Sequence, residues 1–202
     1  MRTLSNTPTQ RPVLAAGILS LILAFTLSTT STQAVAQTSY HVTAGSQITV
    51  AGTSNLHDWT MVAKTFSSEG TLTIKGTQLV DITALTLTIP VKNLNSKESL
   101  MDSRAYKTLK EEQFKNITFK LTAATVNAAQ KTIKASGNLT ISGVTNPVVL
   151  QISYVLTDGE ISFKGSEALK MSDYKIKAPS FMLGALKTGD ALQIDMLLKM
   201  KN

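Results

Sequence analysis

Two histidines are the only side chains of this cysteine-free, 202-residue chain that ordinarily titrate near neutral pH, and one of them stands in His57-Asp58-Trp59. An imidazole beside a carboxylate has the makings of a general base, a metal ligand or a donor to a polar head group. Nucleophilic catalysis would add a positioned serine or cysteine and an oxyanion hole, yet the chain has no cysteine and no Gly-x-Ser-x-Gly elbow. A zinc site would need three or four ligands at close spacing, and the second histidine, His41, lies sixteen residues away beside Tyr40, where it reads as a rim residue. No catalytic residue, no metal and no cofactor is expected. For His57, capping a turn and touching a ligand head group stand as equal readings.

Arg104 is the one arginine beyond Arg11, set among seventeen lysines. Its planar fork suits a phosphate or carboxylate, or a bridge to Asp102, Glu98 or Asp58 that ties a helix down. That helix is expected over Ser99 to Leu109, where Leu100, Met101, Ala105, Tyr106 and Leu109 form one apolar stripe. The stripe is either core packing or a lid. Met182, Leu183, Leu186, Met196 and Met200 carry the same ambiguity, and flexible methionines suit a pocket that must adapt.

Elsewhere, the elements that must position these residues alternate with period two. Leu72/Ile74, Leu85/Leu87/Ile89/Val91, Ile117/Phe119/Leu121, Ile133/Ala135/Leu139/Ile141, Val148/Leu150/Ile152/Tyr154 and Leu192/Ile194/Met196/Leu198/Met200 place apolar side chains on one face, with mostly polar residues on the other. Weaker strands are read at Tyr40 to Val42, Gln47 to Ala51, Trp59 to Lys64 and Ile161 to Lys164. Gly137 to Leu150 reads as a hairpin around a glycine-proline turn. Further turns are expected at Glu69-Gly70, Lys75-Gly76, Asn127 to Gln130, Asp158-Gly159 and Thr188-Gly189-Asp190. Eight to ten antiparallel strands in one domain imply a sandwich or a closed barrel, and the pattern alone does not choose between them.

The first 36 residues hold Arg2 and Arg11, no acid, an apolar run from Val13 to Leu27, and Ala34-Val35-Ala36 before Gln37. This is the layout of a cleaved secretory leader, with an apolar run shorter than the roughly 20 residues a spanning helix needs. The expected organisation is a leader over 1–36 and one domain over 37–202, placed in the periplasm or outside the cell. Without Arg2 and Arg11 the basic count falls from 20 to 18 against 13 acids, so the formal charge falls from +7 to +5. The lysines are scattered along strands with no interleaved aromatics, so no nucleic-acid partner is expected.

The blocks "MDSRAYKTLKEEQFKNITFKLT" from Met101 to Thr122 and "GNLTISGVTNPVVL" from Gly137 to Leu150 resemble the YceI-like family of lipid- and polyisoprenoid-binding proteins, as do "GTSNLHDWT" from Gly52 and "MLGALKTGD" from Met182. The resemblance covers about Ser39 to Met200. It implies a mainly β fold: an extended, lipocalin-like antiparallel β-barrel with one short helical segment near its mouth. It also implies export and a long isoprenoid chain in the interior. Many family members carry a glycine soon after the aromatic of Met171-Ser172-Asp173-Tyr174, where this chain has Lys175.

The expectation is thus a non-catalytic protein that holds a long-chain isoprenoid or related lipid for carriage, storage or sequestration. Its ligand-binding candidates are His57, Trp59, Met101, Arg104, Tyr106, Leu85, Leu87, Phe119, Met182 and Met196. Transient membrane contact and a homodimer are further expectations. The alternatives are a ligand-free structural or stress-related envelope protein, or a lipid-modifying enzyme using His57 and Asp58.

Overall fold

Every long alternating run becomes a strand. A computed structural model of the protein describes residues 37–202, and the expected leader over 1–36 lies outside the described residues. In chain order the strands are β1 (Gln37–Val42), β2 (Gln47–Ser54), β3 (Trp59–Ala63), β4 (Ser67–Lys75), β5 (Gln78–Pro90), β6 (Leu94–Asn95), β7 (Asn116–Asn127), β8 (Thr132–Ile141), β9 (Val144–Thr157), β10 (Glu160–Lys170), β11 (Ser180–Phe181) and β12 (Leu186–Lys201), with one α-helix, α1 (Ser99–Thr108), between β6 and β7. Exposure along β9 alternates residue by residue, the signature of a strand with one dry and one wet face.

The neighbour order β1-β4-β5-β7-β8-β9-β10-β12 returns to β1 through His41–Lys201 and Val42–Met200, so the sheet closes into a ring of eight antiparallel strands. The choice that alternation left open is a barrel. β2, β3 and β6 lengthen one end of the ring. There β2 runs along β12, β3 along β2, and β6 meets β3 through Val62–Asn95 and Ala63–Leu94. β1 and β2 are in effect one strand interrupted at 43–46. The Ser46 hydroxyl bridges the break by donating to the Lys199 carbonyl at 3.2 Å and accepting from the Lys199 N–H at 2.9 Å.

Three expected turns are placed differently. Glu69-Gly70 and Thr188-Gly189-Asp190 lie inside β4 and β12, each next to a register shift, so these glycines accompany bulges rather than chain reversals. The hairpin turn between β8 and β9 is Ser142-Gly143, with φ of 49° and 77°. Pro147 sits within β9 opposite Asn138. It is tolerated because β10 pairs with β9 only from Ile152 onward, which leaves β9 an edge at that point.

The interior has three tiers. Tyr40, Leu72, Leu79, Ile133, Ile161, Phe163, Leu198 and Met200 belong to the cluster at the β1 end. Ile48, Met61, Ala63, Leu87, Ile89, Leu94 and Phe119 form the middle. Met171, Tyr174 and Ile176, from a single 3-10 turn and the residues after it, form a third cluster with Leu139, Ile141 and Leu192.

Candidate functional site

The α-helix packs on the middle cluster and against β6. Its first turn is held by Asp102, whose carboxylate accepts the Ser96 N–H at 2.7 Å, and it ends at Lys110, which adopts φ 53°. Met101, Ala105 and Leu109 recur every four residues and pack on the middle tier. Tyr106 lies about 100° around the helix from Ala105 and faces β6 instead. Its hydroxyl is placed to donate to the Leu94 carbonyl at 2.9 Å, with the Lys92 carbonyl and Asn95 Oδ1 each at 3.1 Å. Burial, with the Asp102 charge second, pushes the Tyr106 hydroxyl pKa upward.

Beneath the helix the tiers leave space between them, although residues such as Leu85, Leu121 and Met196 pack against both the β1-end and middle clusters. A cavity of about 480 Å³ follows the barrel from Phe163 and Leu198 past Leu87 and Phe119 to a mouth edged by Leu56 and Leu100. This volume falls in the roughly 300–1,000 Å³ range of small-molecule sites. Tyr40, Leu72, Leu79, Ile161 and Met200 are buried but stand outside its wall, and they plug the far end. The wall is almost wholly aliphatic and aromatic. Its polar side chains are Ser54, His57, Glu98, Arg104, Thr108, Ser166, Glu167 and Thr188, most of them contributed by α1 and the segments around the β2–β3 turn. Among the described residues no fully buried polar side-chain atom lacks a hydrogen-bond partner.

The β2–β3 turn is built by its own side chains. Ser54 Oγ donates to the His57 carbonyl at 2.7 Å and accepts the N–H groups of Leu56 and His57. Asn55 ties the turn to the chain before β12: its amide donates to the Ala185 carbonyl at 2.7 Å and its Oδ1 accepts the Lys187 N–H at 2.8 Å. His57 is exposed, and its Nδ1 lies 2.8 Å from the main-chain carbonyl oxygen of Asp58. The ring is oriented by backbone, and the His57–Asp58 pair is a turn feature at the mouth. A shallower polar groove lies outside it, between β3 and the start of α1, and shares His57, Trp59, Glu98 and Met101 with the cavity.

Eight sequence candidates, His57, Trp59, Met101, Arg104, Leu85, Leu87, Phe119 and Met196, line the cavity. Two do not. Tyr106 is turned toward β6 as described, and Met182 is a solvent-exposed tip in the link from β11 to β12 with φ 53°. Gly165, Tyr174, Ile176 and Leu192 line the cavity without having been singled out. Alternation carries the signal for Leu192. For Gly165 it fails, because the Gly-Ser-Glu-Ala stretch extending β10 lacks the β-branched and aromatic residues that mark a strand. Among the described residues no group of three or more histidine, aspartate or glutamate side chains is placed to hold a metal ion.

Comparison with known proteins agrees with this architecture. The crystal structure of Burkholderia cenocepacia BcnA is similar at a TM-score of 0.64 and 16% identity, covering 76% of this chain and 95% of that one. A polyisoprenoid binding domain from Saccharophagus degradans implicated in plant cell wall breakdown is similar at 0.61 and 15% identity, covering 80% and 97%. The Campylobacter jejuni YCEI protein follows at 0.55 and 17%, covering 67% and 81%. No curated protein gives a significant match. The model of the YceI-like domain matches residues 27–200, nearly all of the chain, and with the closed barrel it places the protein in the YceI-like family.

Proposed function

We propose that the protein is an exported, non-catalytic binder of a long-chain isoprenoid or related amphiphilic lipid, made with a leader over residues 1–36 and acting in the periplasm or outside the cell. One observation carries the reading: an apolar cavity extends into a closed barrel from a mouth at one end and stops at the packed cluster of the β1 end. Each methylene moved from water to such a wall is worth about 0.8 kcal/mol, so a prenyl tail binds without a dedicated polar contact. Leu85, Leu87, Phe119 and Met196 would contact the tail, Trp59 and Met101 the segment near the mouth, and His57 and Arg104 the head group. The fold likeness to a polyisoprenoid binding domain supports the same assignment.

The test is native mass spectrometry with lipid extraction on protein purified from an isoprenoid-producing cell, beside the variant Met196→Trp. Met196 packs against both the β1-end and middle tiers, so an indole there divides the cavity. One bound prenyl lipid per chain, lost in a variant that still melts cooperatively, is the expected result. An apo mass with no uptake of added polyprenyl lipid would overturn the reading in favour of a ligand-free barrel.

A further inference from the structure

Seven large hydrophobic side chains of the described residues are strongly exposed, and four of them belong to one end of the molecule. Leu56 is 71% exposed, Leu100 61%, Met182 78% and Leu183 109%. The other three, Val80, Val149 and Val155, lie singly along strands, as is ordinary for a protein surface. Leu56 and Leu100 form the rim of the cavity. Met182 and Leu183 belong to the same rim, because Asn55 clamps the turn bearing Leu56 to Ala185 and Lys187.

The Met182-Leu183 tip is costly in two ways. It leaves two large apolar side chains in water, and it holds both residues in the left-handed region, at φ 53° and 56°. Such conformations are strained in residues with a β-carbon. Within this segment the chain is also basic: Lys170, Lys175, Lys177 and Lys187 stand against the single acid Asp173 between 170 and 187. On the side of Leu56 and Leu100 the rim also carries the exposed acids Asp58 and Glu98, so the basic charge is concentrated at the Met182-Leu183 tip. Apolar tips beside lysines match the interface of an anionic bilayer, where side chains enter the acyl boundary and lysines meet phosphate.

We infer that the rim formed by Leu56, Leu100, Met182 and Leu183, with the lysines around the tip, is a docking surface for an anionic lipid bilayer. The inference rests on the lipid-binding reading of the cavity, and it supplies what that reading lacks. A prenyl chain passing through water would expose each of its methylenes, so transfer needs the mouth held against hydrocarbon. The rim meets the bilayer surface; the rival partner for the same apolar tips is a second copy of the chain.

The experiment is vesicle flotation of the purified protein with phosphatidylcholine alone and with phosphatidylcholine mixed with phosphatidylglycerol. The double variant Met182→Asn/Leu183→Asn removes the apolar tips while keeping a residue type that tolerates positive φ, and neither position lines the cavity. The protein is expected to float with the anionic vesicles and to be released by high salt. The variant should lose on the order of tenfold in vesicle affinity while still taking up a polyprenyl lipid from detergent, read by native mass spectrometry. Equal flotation of both proteins, or none with anionic vesicles, overturns the docking surface. So does a dimer that dissociates in the variant while vesicles stay unbound. Loss of lipid uptake in both proteins with flotation intact overturns the carrier reading and leaves the docking surface standing.

Discussion

Trp59 and Gly52 are register partners across β2 and β3, and the indole fills the space that a β-carbon at position 52 would need. The Trp59 Nε1–H donates to the Thr53 carbonyl at 3.1 Å, which fixes the ring at the cavity mouth. Gly52 here serves close approach, since its φ is unremarkable. Gly52→Ala is expected to displace the indole and to cost about 1–3 kcal/mol, as overpacking does. Because Trp59 is the only tryptophan, its emission reports the site directly. Urea unfolding and emission spectra unchanged by the substitution would show that the contact is not as described.

A second expectation concerns Lys175. It ends the 3-10 turn Met171–Tyr174 in the left-handed conformation, φ 55° and ψ 29°. A β-carbon costs roughly 1–2 kcal/mol there, against 0.5–1 kcal/mol of extra chain entropy lost by glycine on folding. Lys175→Gly should therefore raise stability by about 0.5–1 kcal/mol. An unfolding midpoint at or below that of the parent would refute it.

Acid should act at Asp190. The Ser172 hydroxyl donates to its Oδ2 at 2.6 Å and the Ser172 N–H to its Oδ1 at 2.9 Å, and these bonds, hydroxyl first, hold its pKa below the ordinary carboxylate value. A carboxyl depressed in the folded state binds its proton less readily than in the unfolded chain. Its stabilisation is present above the ordinary carboxylate pKa and disappears as the pH falls through the lower, folded-state one. The bond joins the 3-10 turn to the bulged part of β12. Carboxylate NMR should place the Asp190 midpoint below the ordinary range, and Ser172→Ala should move it up. A midpoint insensitive to Ser172 would dismiss the bond as a cause.

Much of the fold is readable in the residues, and where the structure departs from them the reasons are physical. Strand after strand followed from period-two alternation, because a one-sided sheet leaves no other pattern. Gly70, Pro147 and Gly189 were misleading because glycine and proline mark irregular backbone, and bulges and edges are irregular without reversing the chain. Closure was invisible, since it depends on Val42 meeting Met200, a pairing that no local window contains. At the site, the aliphatic wall followed from inward positions on known strands. The helical stripe placed Tyr106 with Met101 and Ala105, although 100° of rotation separates neighbouring positions and carries the phenol to β6. The chemistry of Met182 suits a pocket, but a tip between β11 and β12 has no wall to join.

The long final strand β12 has a kinetic consequence. It pairs with β10 along eleven residues, and also with β1, β2 and β11. Until it docks, β10 and the β1–β2 strand both present open edges, and the hydrophobic interior faces water through the missing stave. The contacts that end this exposure join distant parts of the chain, and such non-local pairing places folding in the slow range of roughly milliseconds to seconds. An unclosed barrel with two free edges is a template for its own aggregation. The docking of β12 therefore separates a closed container from an open-edged chain prone to precipitate.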